Sequence, residues 1–288
     1  MARRAGSTQS SPCPCGPGRS TSLVQWEQHS ADKTLGRNGK AGSGEMTFDR
    51  RSEDAIELSE FLRRHLGKHK LMVLAESMGT LVGVPLVKRR PDLFSAFVTT
   101  DLYVDMARNQ ALKYQMTLER VRAAGNTKAV VALELIGADP MQWDLRAWNV
   151  NMTWAFKTNL PTPSPDRTLL FPLVLSSPIC TLWDIYDLFV GFQFSTTELF
   201  DEIMAYDARR LGTRFEVPFF LFQGESDVIT LTSLAEEYFT EVDALTKELA
   251  LIKNAGHFAA FTQPEQFLSE LLRLGPPTGI RAQPLIHC

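Results

Sequence analysis

The sequence has few cysteines, no long hydrophobic run and no strong net charge. Its 288 residues include four cysteines, at positions 13, 15, 180 and 288. They are too scattered for a zinc site and too few for a disulfide scaffold, so we expect a reducing, cytoplasmic environment. No segment approaches the roughly 18 apolar residues of a membrane span, and residues 1–22 contain no apolar stretch of signal-peptide length. We therefore expect a soluble protein.

The balance of charged residues argues against several kinds of partner. The chain has 30 lysines and arginines against 33 aspartates and glutamates, which gives a formal net charge of −3. Nucleic acids and anionic membranes are bound by clustered basic residues, so neither is expected as a partner here. Small neutral or mildly cationic substrates fit this composition better. With 44% hydrophobic residues, the chain is able to bury a large core.

The most informative stretch runs from Leu71 to Thr80, where an apolar segment ends at Ser77 and then becomes helical. A serine at a sharp strand-to-helix turn has its hydroxyl lifted above the sheet, and large residues two positions away do not fit there. Ala75 and Gly79 meet that requirement, although glycine is the usual residue at the position of Ala75. We interpret the stretch as a nucleophile elbow. The pattern by itself describes a strand followed by an incidental serine equally well, so the rest of the chain decides.

Patterns typical of strands and helices alternate on both sides of this turn. Apolar residues recur at helical spacing from Arg51 to Leu66, and Gly67 follows as a C-cap. Alternating strands and helices imply parallel strands with helical crossovers, so we predict an α/β fold with a mostly parallel sheet and helices on both faces. The other predicted elements are strands at 23–28, 70–74, 94–100, 217–223 and 248–252, helices at 80–88, 233–242 and 264–274, and a glycine-rich loop at 32–44.

The middle of the chain has a different character. It contains long helical patterns over 110–122 and 127–136, a cluster of prolines after residue 160, and all but one of the 5 tryptophans. We predict an inserted helical cap over residues 102–212. The complete predicted division is a mobile leader at 1–22, an α/β core at 23–101 and 213–275, the cap between them, and a loose tail at 276–288.

Two further polar residues follow predicted strands in the same manner as Ser77. Asp227 comes just after the strand at 217–223, and His257 comes just after the strand at 248–252. The carboxyl ends of parallel strands lie at one edge of the sheet, so these three side chains are expected to meet. Their order, serine, aspartate and histidine, is that of a nucleophile, an orienting acid and a base. Glu225 is a competing acid, and each residue alone is more often an ordinary loop residue.

Five segments together resemble the proline iminopeptidase branch of the α/β-hydrolases. They are Trp26-Glu27-Gln28, the glycine-rich loop, Ala75-Glu76-Ser77-Met78-Gly79, Gly224-Glu225-Ser226-Asp227 and Asn254-Ala255-Gly256-His257. The resemblance extends over roughly residues 23–275. It implies an α/β-hydrolase fold with an inserted cap and a serine hydrolase that needs no cofactor and no metal. The activity it implies is release of N-terminal proline from peptides, with Ser77, Asp227 and His257 as catalytic residues.

The resemblance also implies an oxyanion hole made of two backbone donors. One is the N–H of Met78, which stands where the family has tryptophan. The other comes from a His-Gly-Gly-Pro-Gly loop that should precede Leu23, and here only Cys15-Gly16-Pro17-Gly18 resembles its end. Loss of one such donor typically lowers kcat on the order of 10²–10³-fold.

In the family, acidic residues of the cap hold the free amine of the substrate. The candidates in this chain are Glu198, Asp201 and Glu202. An exposed helix face explains the same three residues equally well. The expected partner is a small peptide.

Two alternatives stay open at this point. The same triad would hydrolyse a short-chain ester, which an apolar cap accepts without an anchor for an amine. The third hypothesis is a degenerate hydrolase fold without catalysis, acting as a binding or scaffold protein. The sequence leaves the oligomeric state open.

Overall fold

A computed structural model describes residues 23–158 and 181–273 of the chain. The predicted leader at 1–22 and the predicted tail at 276–288 lie outside the described residues. None of the helices within the described ranges combines the length and apolar character that a bilayer crossing requires.

Strands and helices alternate through most of the described chain. The strands are β1 (Leu71–Glu76), β2 (Phe94–Thr100), β3 (Arg214–Phe215), β4 (Phe219–Gly224), β5 (Asp243–Ala244) and β6 (Lys247–Ile252). The α-helices before the cap are α1 (Asp32–Asn38), α2 (Phe48–Leu66) and α3 (Thr80–Arg89). They are followed by α4 (Met106–Ala123), α5 (Thr127–Ile136), α6 (Leu145–Thr158), α7 (Leu182–Glu198) and α8 (Phe200–Ala205). The last three are α9 (Thr232–Glu241), α10 (Ala259–Thr262) and α11 (Pro264–Arg273).

Within residues 23–158 and 181–273, the main sheet has four strands in the order β1-β2-β4-β6. All three pairings are parallel, as the alternation of strands and helices predicts. Among the described residues β1 is an edge strand, and Leu74 on it is 41% exposed. β3 and β5 form a separate parallel pair. The carboxyl ends of β1, β2, β4 and β6 therefore lie along one edge of the sheet.

Alternate residues of the central strands supply two separate cores. Phe97, Phe219 and Leu221 pack with buried residues of α2, α3 and α9. Their neighbours Val98 and Phe220 point to the opposite face, where they pack with α10 and α11. This alternation follows from the period of two in a β-strand. Helices thus cover both faces of the sheet, so its carboxyl edge is where polar residues are able to lie.

Helices α4 to α8 occupy the chain between β2 and β3, and the two ends of this stretch are paired. Asp105 and Asp207 form an antiparallel bridge. Met106 N–H donates to the carbonyl of Tyr206 across 2.9 Å, and Ala208 N–H donates to the carbonyl of Val104 across 2.7 Å. The predicted cap limits, 102 and 212, lie just outside this bridge and stay a prediction.

Two predictions near the start of the described chain are wrong. Residues 23–28 form no strand; Trp26 instead packs against the larger core, which accounts for the apolar half of the pattern. The glycine-rich segment 32–44 contains α1, which lies against α7. A Cβ on Gly36 would lie 2.0 Å from an Asp187 carboxylate oxygen, so this glycine allows a close helix–helix approach. Packing between helices outweighs the low helix propensity of glycine.

Candidate active site

Ser77 stands on a sharp turn between β1 and α3. Its φ is +50°, in the left-handed region that non-glycine residues rarely occupy. A single turn of 3₁₀ helix, Ser77–Gly79, follows at once and continues into α3. The hydroxyl of Thr80 donates to the Ser77 carbonyl across 2.6 Å and helps to hold the turn. Strained backbone of this kind persists where the surrounding structure fixes it, and it commonly marks functional sites.

The small residues around this turn act differently from the sequence-based expectation. A Cβ on Gly79 would meet nothing within 4 Å, and its φ of −63° is ordinary. Crowding is found instead between Ala75 and Gly83, where an added Cβ on Gly83 would lie 2.6 Å from the Cβ of Ala75. The crowding predicted at Ala75 is therefore present, whereas at Gly79 there is room for a Cβ, and the second tight position is Gly83, one helical turn further along α3.

Ser77, His257 and Asp227 lie in a hydrogen-bonded row at the carboxyl edge of the sheet. Ser77 Oγ is 2.9 Å from Nε2 of His257. His257 Nδ1 is 3.0 Å from Oδ2 of Asp227. Both His257 and Asp227 are buried. With Nδ1 protonated, the imidazole donates to Asp227 and presents the lone pair of Nε2 to the serine hydroxyl.

The Asp227 carboxylate is fixed by five hydrogen bonds, one of them from His257. Oδ1 accepts from the backbone N–H groups of Ile229 and Thr230, at 2.8 and 3.1 Å. Oδ2 accepts from the Thr230 hydroxyl at 2.5 Å and from Nε2 of Gln223 at 3.0 Å. A carboxylate with this many donors keeps one orientation. The competing acid, Glu225, is exposed and accepts from the Asn254 backbone N–H at 3.2 Å.

A further carboxyl group, Asp101, lies beside the imidazole. Its Oδ2 accepts the backbone N–H of Phe258 across 2.8 Å, and its Oδ1 is buried without a hydrogen-bond partner among the described residues. Burial raises the pKa of Asp101 well above its ordinary value, whereas the charge of a protonated His257 acts in the opposite direction and favours the carboxylate. Burial alone would lower the pKa of His257, but the carboxylates of Asp227 and Asp101 raise it to about 9. Burial likewise raises the pKa of Glu76, next to the serine.

Sequence reasoning missed three polar residues of this site: Asp101, Gln223 and Thr230. A signal was present for Asp101, because it comes immediately after β2, much as Asp227 comes three residues after β4. Gln223 lies within a run of apolar strand residues, where a polar side chain needs a partner to be buried. That run of Phe219 to Phe222 ending in a glutamine was the available signal.

The side chain of Met78 lies between the turn at Ser77 and the helices inserted between β2 and β3. It packs against a cluster that includes Leu81 of α3, Tyr103 shortly after β2, and Trp148 and Ile203 of the inserted helices. Its backbone N–H belongs to the first turn after Ser77, where amide groups have no acceptor within the helix. Cys15-Gly16-Pro17-Gly18, expected to supply the second oxyanion donor, lies outside the described residues.

The three candidate anchors for a substrate amine lie near the end of the predicted cap. Glu198 ends α7, Asp201 and Glu202 lie on α8, and all three are exposed. The carboxylate of Glu202 accepts the backbone N–H of Phe48, the first residue of α2, across 3.0 Å. Within the described ranges, no hydrogen bond joins these carboxyls to the row of Ser77, His257 and Asp227.

Asp101, Asp227 and His257 also form a compact group of potential ligand atoms. One oxygen or nitrogen of each lies within 4.8 Å of the others. Two of the three residues, His257 and Asp227, are already hydrogen-bonded to each other across 3.0 Å. We therefore assign the group to orienting the imidazole.

The sequence matches the α/β-hydrolase fold family over residues 4–264. The chain therefore belongs to this family, and the α/β-hydrolase fold inferred from its motifs is confirmed. A Bacillus subtilis (strain 168) protein named probable aminopeptidase YbaC is 22% identical over 255 residues, which cover 87% of this chain and 79% of that protein.

Two solved structures share the fold. The crystal structure of VinJ superposes with a TM-score of 0.53 at 15% identity and covers 80% of this chain and 72% of that one. The proline iminopeptidase of Mycobacterium smegmatis superposes with a TM-score of 0.52 at 12% identity and covers 80% of this chain and 71% of that one. Both similarities show that the fold is shared.

Proposed function

We propose that this α/β-hydrolase is a serine hydrolase of the proline iminopeptidase type. Ser77 is the nucleophile, His257 the general base and acid, and Asp227 the acid that orients the imidazole. The observation that carries the proposal is the unbroken row of contacts, 2.9 Å from Ser77 Oγ to His257 and 3.0 Å from His257 to Asp227. These are distances at which a proton passes between side chains.

In the first half of the reaction, Ser77 Oγ attacks the carbonyl carbon of the scissile bond while its proton moves to His257 Nε2. The carbonyl oxygen becomes an oxyanion, to which Met78 N–H donates. The carbon–nitrogen bond then breaks, and the leaving amine takes the proton from Nε2. The Asp227 carboxylate offsets the charge of the imidazolium throughout this sequence.

The second half repeats these steps with water. His257 takes a proton from a water molecule, whose oxygen attacks the acyl carbon bound to Ser77. When the ester bond breaks, the serine oxygen recovers its proton from Nε2, and a carboxylic acid leaves. The site returns to its starting state, so no cofactor is consumed.

Aminopeptidase activity is supported by the similarity to the Bacillus subtilis protein and by acidic residues at the end of the cap. An aminopeptidase recognises the protonated amine of its substrate, and a carboxylate is the natural partner for that amine. Glu198, Asp201 and Glu202 are the candidates. A cytoplasmic location and a small peptide substrate complete the proposal, in keeping with the scattered cysteines and the small net charge.

Hydrolysis of proline arylamide by the purified protein tests this function. We expect turnover that Ser77→Ala removes and that His257→Ala reduces to a similar degree, because the two residues act as one unit. Thr197→Ala, a change at an exposed hydroxyl on the cap, is the matched control and should keep full activity. Equal turnover by the wild type and Ser77→Ala would exclude the proposal.

A second candidate, hydrolysis of short-chain esters, is favoured by the contact of Glu202. Its carboxylate already accepts the N–H of Phe48 at the start of α2, so it is less available to a substrate amine. An ester substrate needs no such anchor. The two functions differ in one requirement: a peptidase of this type needs a free amine, whereas an esterase does not.

Three substrates separate the candidates. A proline arylamide, its N-blocked form and nitrophenyl acetate are assayed with the same protein. Cleavage of the free arylamide alone supports the aminopeptidase, and cleavage of the acetate without a requirement for an amine supports the esterase. Failure of a fluorophosphonate probe to label Ser77 would instead support a fold without catalysis.

A further inference from the structure

Asp101 is a buried carboxyl group that the Ser77–His257–Asp227 row does not use. It is 0% exposed and follows the last residue of β2 directly. One of its oxygens accepts the N–H of Phe258, the residue after His257, across 2.8 Å. The other oxygen, Oδ1, is buried and has no hydrogen-bond partner within the described part of the chain. A buried carboxyl oxygen without a partner is costly, so its retention calls for an explanation.

The position of Asp101 relative to the imidazole supplies that explanation. One oxygen of Asp101 lies within 4.8 Å of both a ring nitrogen of His257 and an oxygen of Asp227. Two carboxyl groups therefore face one imidazole from the ends of two neighbouring strands, β2 and β4. An opposite charge at such a distance in a buried site favours the protonated imidazole.

The backbone around Asp101 is held in a shape that keeps this arrangement. Asp101 has a φ of +52° and Phe258 a φ of +67°, both in the left-handed region. The hydrogen bond between them joins the two strained residues. Aspartate and asparagine tolerate this conformation better than most residues.

Resting on the proposed serine hydrolase function, we propose that Asp101 is a second acid of the site. It positions His257 by holding the N–H of Phe258, and it supplies a second carboxylate that offsets the charge of the imidazolium. Asp227 remains the acid that fixes the tautomer, because it receives the Nδ1 hydrogen bond. With one of the two carboxylates removed, the other still supports the imidazolium.

Three other ionisable groups and one hydroxyl among the described residues lie near this cluster, and a measured titration of His257 depends on them as well. Glu76 precedes the serine, and the carboxylate of Glu76 raises the pKa of His257. Tyr103 and Lys113 are buried, and the Asp227 charge acts on the pKa of each. The Ser77 hydroxyl faces Nε2 directly.

Asp101→Asn is the informative variant. The asparagine carbonyl still accepts from Phe258 and still suits the left-handed backbone, so the change removes the acid and little else. Thr100→Val is the matched control, because Thr100 is the adjacent buried residue and its hydroxyl is also without a partner. Two measurements are made from pH 5 to 10: the labelling rate of Ser77 by a fluorophosphonate, and the ¹⁵N titration of the His257 ring.

We expect Asp101→Asn to lower the midpoint of both curves by about one pH unit, since a neighbouring negative charge is lost. Thr100→Val should leave both midpoints in place. In the Asp227→Asn background, Asp101→Asn should slow labelling a further ~10-fold, on the scale of a lost charge–charge contact. A folded Asp101→Asn protein with wild-type midpoints would overturn the proposal.

A second titration needs no change at Asp101. In Asp227→Asn, burial lowers the pKa of His257, so a ring midpoint still above about 6.5 requires another carboxylate. Glu76→Gln in the same background removes the share of Glu76, and a midpoint that stays high assigns the effect to Asp101. A midpoint that falls below about 6.5 contradicts the proposal. The ring titration gives this answer even if the probe labels nothing, a result that would reject only the serine hydrolase function.

Discussion

Gln223 donates a hydrogen bond from its side-chain nitrogen to Oδ2 of Asp227 across 3.0 Å. The same nitrogen donates to the carbonyl of Thr230 at 2.9 Å, and the Gln223 side-chain oxygen accepts from Leu102 N–H at 3.1 Å. A single fully buried amide therefore connects the chain that leaves β2 to the acid loop, residues 225–231, which carries Asp227. Three polar groups depend on this one side chain.

Gln223→Leu is expected to destabilise the protein by about 2 kcal/mol, because buried polar groups lose their partners. It should also lower kcat while the KM changes little, since Asp227 is less firmly oriented. Thermal unfolding and steady-state kinetics measure the two effects. Gln142→Leu, at an exposed position in the cap, is the control and should stay within about 0.5 kcal/mol of the wild type. A Gln223→Leu protein as stable and active as the wild type would show that the amide is dispensable.

Gly224→Ala should push the acid loop away from the segment 253–258, which carries His257. An added Cβ would lie 2.1 Å from the backbone carbonyl oxygen of Gly256, which has no side-chain freedom to move away. A displacement of about 1 Å in a catalytic group costs roughly 10²-fold in rate, so we expect a loss of that order together with a lower Tm.

Gly79→Ala is the control for this experiment, and only its Tm is compared with that of the wild type. The added methyl meets nothing within 4 Å and the φ is helical, so Tm should stay equal or rise slightly. Unchanged kinetics in Gly224→Ala would mean that the two loops move apart without disturbing the site.

Asn109→Ala should loosen the contact between the cap and the acid loop. Asn109 of α4 donates to the carbonyl of Ile229 at 2.7 Å and accepts from Leu231 N–H at 2.9 Å, two residues and four residues after Asp227. Both backbone groups are buried, so their loss of a partner should cost about 2 kcal/mol of unfolding free energy. Urea unfolding measures it, with Asn149→Ala on the exposed side of α6 as the control. Equal losses in the two variants would contradict a specific role for Asn109.

Lys113→Met should stabilise the protein, and more so at pH 7 than at pH 10. The Lys113 amine is buried against the sulfur of Met152, at 2.8 Å, and burial lowers its pKa to about 7. The unfolded chain keeps an ordinary lysine, so it binds the proton more readily than the folded protein between about pH 7 and 10. Folding is therefore penalised as the pH falls through this range, and methionine removes the penalty.

The expected gain at pH 7 is about 2 kcal/mol, on the scale seen when buried charged groups are replaced by apolar ones. Urea unfolding at both pH values measures it. Lys128→Met, at an exposed position on α5, should show no such pH dependence. A gain that is the same at pH 7 and pH 10 would contradict the interpretation.

Hydrolytic activity should rise with pH well beyond the titration range of an ordinary histidine. His257 acts as a base only when it is neutral, and its pKa is raised to about 9 by the carboxylates of Asp227 and Asp101. We expect kcat/KM to increase from pH 7 and to level off above about pH 9. The profile is best measured with an ester whose leaving group does not titrate in this range. A plateau already reached by pH 7 would contradict the raised pKa.

Much of the fold could be predicted from the sequence, because the helices and strands depend on local patterns. The strand over 94–100 and the helix over 127–136 have the bounds that were predicted, and Gly67 ends α2 with a φ of +61°. Such elements depend on spacing of apolar residues and on caps. Helix α1 was missed because the glycines of its segment argue against a helix, and the contact of Gly36 with Asp187 of α7 that overrides them joins positions about 150 residues apart.

The residues of the candidate site likewise include some that sequence patterns predicted and others that they did not. Ser77, Asp227 and His257 each follow a strand, so chain order alone predicted that they would lie near one another. Asp101, Gln223 and Asn109 act through contacts between loops and helices that are distant in the chain, and the pairing of those loops has no signature in spacing. The partners of these buried polar groups can be identified only from the hydrogen bonds in the folded structure.

The bridge between Asp105 and Asp207 has a consequence for how such proteins diversify. Because the chain leaves the sheet and returns to it at adjacent points, about one hundred intervening residues can be lengthened, shortened or exchanged while the distance their ends must span stays the same. Substrate preference is then free to change through the inserted helices, and the strands that carry the reacting groups need not adjust.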